Sequence, residues 1–212
     1  MSYWENIKIK LQYSGFTRLF FDALGRIGIR ITPYYIVMEG LFNKSYPSLE
    51  TGFEEYDTGF LELEDMKAIA AIPDRNKDQK QLIERFKKGN LCFGIKLKGE
   101  LAAFTWCNLT EFTGKGKVKP LKPDEAYLFD AYTLIPFRGR GIAPFIRYQL
   151  YQGVAKLGKQ KLYSISDAFN APSLKFKKKL NAILVEKYID IIIFNRWKYS
   201  FLLKKDDKGL RK

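Results

Sequence analysis

The stretch AYLFDAYTLIPFRGRGIA, residues 126–143, joins an apolar strand pattern to a turn with two glycines and then to a helix. Gly139 and Gly141 permit a tight turn and a close approach to the backbone. The first N–H groups of the following helix lack partners within it, and the helix dipole favours negative charge there. Arg138 and Arg140 can add charge-assisted hydrogen bonds. The stretch therefore predicts a site for an anion such as a phosphate.

The hydrophobic periodicity on either side of this stretch predicts alternating strands and helices in a mixed α/β chain. Strands are predicted at 32–39, 53–61, 91–97, 100–108, 126–135, 161–166, 182–194 and 197–203, and helices at 63–72, 79–88, 142–157 and 173–180. The Gly/Lys-rich segment 113–117 is predicted as a loop. We expect an N-terminal helix–strand extension over 1–50, one domain over 51–203, and a flexible polar tail over 204–212.

The chain has 212 residues, a formal net charge of +14 and no histidine. Catalytic arrangements and metal sites that need imidazole are therefore excluded, and we expect no metal. The charge favours an anionic partner, for which nucleic acid, phospholipid and a phosphorylated cofactor would all serve.

Two cysteines, Cys92 and Cys107, lie among apolar residues and are predicted to be reduced and buried, as in a cytoplasmic protein. No signal-peptide pattern or apolar run long enough for a transmembrane helix is present.

Three segments together resemble one known family. Arg138, Gly141 and Ala143 fit the Arg/Gln-x-x-Gly-x-Gly/Ala loop of the GNAT superfamily, the acetyl-CoA-dependent N-acyltransferases. Residues 89–106 resemble the second and third strands of that family, and 170–180 is similar to its Asn-x-x-Ala-x-x-Leu-Tyr-x-Lys pattern. The resemblance covers roughly residues 52–203.

The resemblance implies a mostly antiparallel central sheet flanked by helices, with acetyl-CoA or another acyl-CoA as the cofactor. It implies that Leu134 and Ile135 offer backbone hydrogen bonds to the pantetheine arm, and that Asn170 and Ser173 lie near the cofactor. The pyrophosphate would be held by the loop residues Arg138, Gly139, Arg140, Gly141, Ile142 and Ala143. The tyrosine that often serves as general acid in the family is replaced by Lys177, so the general acid is left unassigned.

Transfer of an acyl group to an amine requires a deprotonated amine and a polarised thioester. Asp130 is a candidate base, although it could equally pair with a nearby Lys or Arg. Tyr132, on the same strand face by alternation, could orient a substrate or donate a proton, but a half-buried structural tyrosine is the simpler interpretation. Cys107 is a weak candidate nucleophile because no neighbour in the sequence lowers its pKa.

The sequence predicts an amine acceptor, small-molecule, sugar or peptide, without identifying it. A sugar nucleotide or cell-envelope precursor is one alternative acceptor, and the basic loop Lys115, Lys117, Lys119 and Lys122 suits an anionic acceptor or is simply solvated.

A non-catalytic nucleic-acid-binding module is the alternative function, disfavoured because no nucleic-acid-binding motif is present. The N-terminal helix, with Ser14 as its N-cap, is predicted to pack on the sheet; peripheral membrane contact is the alternative.

Overall fold

A computed structural model of the protein describes residues 20–42, 47–49, 55–75 and 77–205, without the side chain of Asp74. The predicted N-cap Ser14 and most of the polar tail lie outside these residues. The described residues divide into two compact units: those within Glu39–Tyr163 form one, and residues 20–38 together with 164–205 form the other. The predicted domain boundaries at 50 and 203 stay predictions.

Four of the described strands in the unit Glu39–Tyr163 are β2 Tyr56–Phe60, β3 Leu91–Leu97, β4 Glu100–Asn108 and β7 Glu125–Thr133. They pair antiparallel in the order β7-β4-β3-β2. Strands β3 and β4 form a hairpin through Lys98 and Gly99, which both have positive φ (51° and 82°), as a tight two-residue turn requires.

Three helices belong to the same unit: α2 Met66–Ala70, α3 Gln79–Lys87 and α4 Ile142–Ala155. Asp78 caps α3 by accepting a hydrogen bond from the Lys80 amide at 3.1 Å. The apolar faces of α2 and α3 pack with β3 and β4 in one cluster that includes Leu61, Met66, Ile69, Leu82, Phe104 and Trp106. Burial of this periodic apolar face is what makes the short helices stable.

One element differs from the prediction. Residues 113–117, expected to be a loop, belong to a two-stranded hairpin formed by β5 Glu111–Gly114 and β6 Lys117–Pro120. Its turn uses Lys115 and Gly116 at positive φ (55° and 75°). The Gly/Lys composition marked the turn correctly, but the alternation that defines such short strands is too brief to be read from sequence.

The second unit contains α1, described over 20–26, β1 Ile29–Glu39, β8 Lys161–Asp167, α5 Ala171–Lys179, β9 Ile183–Ile193 and β10 Trp197–Lys205. The boundary between the units falls within β8 and at the end of β1. The strand order is β10-β9-β1-β8, with β1 and β10 both antiparallel to β9. The predicted hairpin 182–203 is therefore confirmed.

Together these elements confirm the predicted fold class, a mixed α/β chain with mostly antiparallel strands and accompanying helices. Among the described residues, no helix is both long enough and apolar enough to cross a membrane.

Candidate functional site

Strand β7 has an irregularity at Asp130 and Ala131, within the strand–turn–helix stretch 126–143. Phe129 pairs with Trp106 and Tyr132 pairs with Phe104, so Asp130 and Ala131 both lie opposite a single β4 residue, Thr105. Asp130 has φ 50°, a left-handed conformation that non-glycine residues adopt at a cost of roughly 1–3 kcal/mol. Such β-bulges redirect side chains, often next to active sites.

Asp130 forms ion pairs with two arginines. It accepts hydrogen bonds from Arg75 and from Arg85, the latter at 2.6 Å, and the three side chains are between 10% and 23% exposed. Burial alone would raise the pKa of Asp130, but the hydrogen bonds and charges of the two guanidinium groups outweigh it and lower the pKa. A carboxylate so stabilised is a weak proton acceptor. The base role of Asp130 stays a prediction, and this geometry weighs against it.

The two guanidinium groups also lie over aromatic rings. Arg75 is 5.0 Å from the ring centre of Phe104 and 4.8 Å from that of Tyr132. Arg85 lies in the same way over Trp106 and Phe129. Asp130 and Tyr132 thus both contact Arg75, as their predicted shared face requires, although the bulge brings Phe129 to that face as well.

These arginines were missed by the sequence reasoning. Arg75 lies in the 3-10 turn Pro73–Arg75 and Arg85 lies on α3, at 55 and 45 residues from Asp130. A lone acid in an apolar strand indicates that a buried cation faces it, but sequence alone does not show which cation. The cluster carries two positive charges and one negative charge. The Nε of Arg75 is buried without a hydrogen-bond partner.

After β7 the chain forms the predicted turn and helix. A 3-10 turn, Ile135–Phe137, leads to Gly139 (φ 85°) and Gly141 (φ 76°), and Gly141 is the N-cap of α4. No side chain caps this helix. A Cβ at Gly139 would meet no atom within 4 Å, and one at Gly141 would lie 3.3 Å from the Ser48 carbonyl oxygen. The first amides of α4 are therefore uncapped by any side chain, beside an open turn.

The two residues expected to bind pantetheine are only partly available. The Leu134 amide donates to the Ala102 carbonyl at 2.9 Å, which extends the β4–β7 pairing by one residue. Its carbonyl accepts from the Phe137 amide at 3.0 Å. Ile135 is 55% exposed, and its carbonyl accepts from Arg138. Leu134 can therefore offer a carbonyl lone pair but no N–H group.

Arg138 lies against the end of β7. Its Nε donates to the Thr133 carbonyl at 2.9 Å, and its guanidinium lies 5.1 Å from the ring centre of Tyr132. Arg138 and Arg140 are both exposed. Tyr132 is thus contacted by two guanidinium groups, those of Arg75 and Arg138.

Helix α4 is fixed to β4 by a buried polar network. Arg147, 3% exposed, donates to Thr105 Oγ1 at 2.9 Å and pairs with the fully buried Glu39 at 3.3 Å. The Tyr151 hydroxyl donates to Glu39 at 2.5 Å. Burial and the Glu39 carboxylate raise the pKa of Tyr151, which keeps the hydroxyl protonated. Because Thr105 lies opposite the bulge, the network links the middle of α4, at Arg147, to the β4 residue that faces the bulge.

Asn170 and Ser173 belong to the second unit. The Asn170 side chain accepts from the Ser173 amide at 3.1 Å and so caps α5. The Ser173 hydroxyl lies 3.2 Å from Ser166 Oγ. Lys177, at the place of the family's tyrosine, is 3% exposed and donates to Ser164 and Ser166 at 2.7 and 2.6 Å. A buried lysine held by hydroxyls replaces the expected phenol.

The cysteines behave as predicted. Cys92 and Cys107 are free and fully buried. Burial raises the pKa of Cys107 to about 12, so its thiolate is scarce at neutral pH, and burial also raises that of Cys92. Cys107 is therefore not an activated nucleophile. Among the described residues, no cluster of acidic residues and cysteines could hold a metal ion.

A cleft of about 390 Å³ lies within the second unit, beside α1 and β1. Its walls include Phe21, Arg26, Arg30, Asp167 and Phe169. None of the predicted site residues lines it, so the candidate site is assigned on the bulge, the turn and the start of α4 instead.

No protein-family model matches the sequence, and no curated protein does, so its likeness is to solved structures. A putative acetyltransferase of the GNAT family from Novosphingobium aromaticivorans superposes with a TM-score of 0.52 at 20% identity, over 76% of this chain and 65% of that one. A GNAT-family acetyltransferase from Colwellia psychrerythraea gives 0.56 at 16% identity, over 82% and 62%. This chain has the GNAT fold.

A third GNAT structure shows the same likeness over more of the chain. The tandem GNAT protein of the clavulanic acid biosynthesis pathway gives a TM-score of 0.56 at 13% identity, over 91% of this chain and 60% of that one. The chain thus spans about three fifths of the length of these GNAT proteins. At these identities the likeness is one of fold, and the chemistry must be argued from the site residues.

Proposed function

We propose that this chain is an N-acyltransferase that moves an acyl group, acetyl in the simplest case, from acyl-CoA to an amine by direct attack. The observation that carries the proposal is a GNAT fold whose bulged strand ends in an open glycine turn and an uncapped helix start. These are the groups that an anionic cofactor with an extended arm requires. The acceptor is an amine of a small molecule, sugar or peptide.

The residues of the turn fit the pyrophosphate of CoA. The Ile142 and Ala143 amides begin a helix of 14 residues whose N-cap, Gly141, supplies no side-chain oxygen. The glycine at 139 leaves room for phosphate oxygens, and Arg138 and Arg140 would supply charge. When bound, the cofactor supplies the acyl group in activated form, as a thioester.

The bulge is the proposed place for the acceptor. The Tyr132 ring there contacts the guanidinium groups of Arg75 and Arg138, and its hydroxyl is proposed to orient the amine. Asp130 remains the candidate base, although its pairing with Arg75 and Arg85 favours a positioning role or proton transfer through water. The cluster's excess positive charge suits an acceptor that also carries an anionic group, such as a sugar nucleotide or cell-envelope precursor.

The decisive experiment is calorimetric titration of the chain with acetyl-CoA. We expect binding in the micromolar range, and loss of at least a hundredfold in affinity for Gly141→Glu, because the new carboxylate would occupy the anion site. Gly158→Glu is the matched control. Gly158 also has positive φ (79°) and open space, but follows the opposite end of α4. Equal affinity of the two variants would refute the site, and absence of binding to the unaltered chain would refute the function.

A second measurement separates binding from chemistry. Release of CoA thiol is followed with a panel of amino sugars, sugar nucleotides, polyamines and peptides. Asp130→Asn and Tyr132→Phe are compared at saturating acetyl-CoA. A fall in turnover with unchanged cofactor affinity would support a role at the acceptor side. Unchanged turnover in both would remove these two residues from the mechanism.

A further inference from the structure

Strand β10 is an edge strand whose nine residues are all exposed. Together with the turn before it, it presents six large apolar side chains that are between 46% and 64% exposed: Phe194, Trp197, Tyr199, Phe201, Leu202 and Leu203. The four aromatic rings alone expose on the order of 400 Å². Apolar patches of this size on a protein surface are usually functional. We call these six side chains, with the strand that carries them, the β10 surface.

The apolar side chains of the β10 surface lie on both faces of the sheet. Tyr199 and Phe201 pair with Ile191 and Ile189 and share one face with them. Leu202 pairs with Tyr188 and points to the other face. A protein partner lying on one face of the sheet would leave the other side chains in water. An environment that surrounds the strand edge on both sides would cover all of them.

Cations stand at both ends of the β10 surface. Arg196 precedes the strand and lies 5.3 Å from the ring centre of Trp197, while Lys204 and Lys205 end the strand and are exposed. No acidic residue occurs between 194 and 205, while Asp206 and Asp207 follow in the sequence and Glu186 lies opposite Lys205 in the β9–β10 pairing. The chain as a whole carries a net charge of +14. The surface is therefore complementary to an extended anionic surface with an apolar layer beneath it.

Two other occupants fit less well. Antiparallel self-pairing centred on Phe201 would place Lys198 directly opposite Lys204 of a second copy, and like charges in that position are destabilising. A nucleic acid could stack on the aromatic rings, but it would leave Leu202 and Leu203 without a partner. The edge strand also keeps unpaired backbone N–H and C=O groups, which hydrocarbon could not satisfy but a hydrated lipid headgroup layer can.

We propose that the β10 surface docks the protein on anionic phospholipid membranes, with the strand lying in the plane of the headgroups. Trp197 and Tyr199 would occupy the interfacial layer that such residues favour, and Leu202 and Leu203 would contact the upper acyl chains. Arg196, Lys204 and Lys205 would contact lipid phosphates. This proposal does not depend on the acyltransferase activity.

The test is co-sedimentation of the full chain with vesicles. We expect binding to vesicles of equal parts phosphatidylcholine and phosphatidylglycerol, and little binding to phosphatidylcholine alone. The double variant Lys204→Glu/Lys205→Glu should bind at least thirtyfold more weakly, and Phe201→Ser/Leu202→Ser at least tenfold more weakly. In a Trp4→Phe background, Trp197 emission should shift to shorter wavelength with lipid, and this shift should vanish when Trp197→Phe is added; Trp106, being fully buried, should not contribute.

Matched controls are available on the β5–β6 hairpin. Val118 is 69% exposed and Lys119 is also exposed, so Val118→Ser/Lys119→Glu makes the same kinds of change elsewhere. This control should bind vesicles as the unaltered chain does. Equal binding of the β10 and β5–β6 variants would overturn the proposal, as would equal binding to neutral vesicles. Two further results would also overturn it. One is a dimer, seen by light scattering, that Phe201→Ser dissociates while the chain binds no vesicles. The other is binding to single-stranded RNA without binding to vesicles.

Discussion

β7 and β10 carry similar side chains in opposite environments. Both strands are rich in aromatic residues, and in both an arginine lies over an aromatic ring. On β7 the arginines come from distant segments and are held by Asp130, so that rings and charges are largely buried together. On β10 the rings and cations are exposed and lack an acid in the same segment.

The difference in burial gives the aromatic and cationic side chains of β7 and β10 different roles. Charge at the β7 bulge is paired and fixed, which stabilises the fold and shapes a site for a small ligand. The exposed cations Arg196 and Lys204 beside β10 add little to folding and are available to a large anionic partner. Substitutions on β7 should therefore change the free energy of unfolding, while those on β10 should change only binding.

The largest effect is expected for Asp130→Ala, which leaves two largely buried guanidinium groups without their carboxylate. We expect a loss of about 2–3 kcal/mol in the free energy of unfolding, measured by urea denaturation. Asp124→Ala, which breaks the exposed pair of Asp124 with Lys161, is the control and should have a much smaller effect. Similar losses in the two variants would contradict the distinction between the strands.

A smaller effect is expected for Arg75→Lys. Lysine keeps the charge but loses the planar guanidinium that lies over the Phe104 and Tyr132 rings, and we expect a loss of about 1–2 kcal/mol. The same change at the exposed Arg140 should alter stability very little. If Arg75→Lys were as stable as the unaltered chain, charge alone would account for the cluster.

The bulge cluster should also make stability depend on acid. The pKa of Asp130 is lower in the folded chain than its ordinary value of 3.8, so its ion pairs contribute fully above that value. The contribution is lost as pH falls through the lowered pKa. The free energy of unfolding should therefore fall less steeply with acid in Asp130→Asn than in the unaltered chain. Parallel pH profiles would contradict this, because they would mean that Asp130 has the same pKa in the folded and the unfolded chain.

The smallest effect is expected for Phe201→Ala on β10. Because the ring is 50% exposed, the free energy of unfolding should change by about 0.5 kcal/mol or less. Phe129→Ala on β7 removes a ring that packs against the core and lies under Arg85, and it should be several times more destabilising. Equal losses would mean that β10 is part of the folded core.

Much of the fold follows from local patterns. The strand-turn-helix at 126–155, the β3–β4 hairpin and the β9–β10 hairpin are marked by periodicity and by glycine or asparagine turns. These signals act over a few residues and are not overridden by tertiary contacts. The short β5–β6 hairpin lacked such a signal because four alternating residues occur often by chance.

The site was less predictable because its decisive contacts are non-local. The turn glycines could be located, but the partners of Asp130 lie 45 and 55 residues away. The bulge is a mismatch between two strands, so it depends on β4 as much as on β7. Two further contacts are non-local in the same way. The Leu134 amide donates to the Ala102 carbonyl because β4 and β7 pair, and Lys177 is buried beside Ser164 and Ser166 because α5 packs on β8.

The burial of both cysteines makes the chain a convenient background for site-directed labelling. Thiolates attack thiol-reactive probes, and the raised pKa values of Cys92 and Cys107 leave both sulfurs protonated and enclosed. A single cysteine introduced at Ser200 or Val118 could then carry a spin label or fluorophore without prior removal of native thiols. The protein can therefore report the depth and orientation of its own exposed strands.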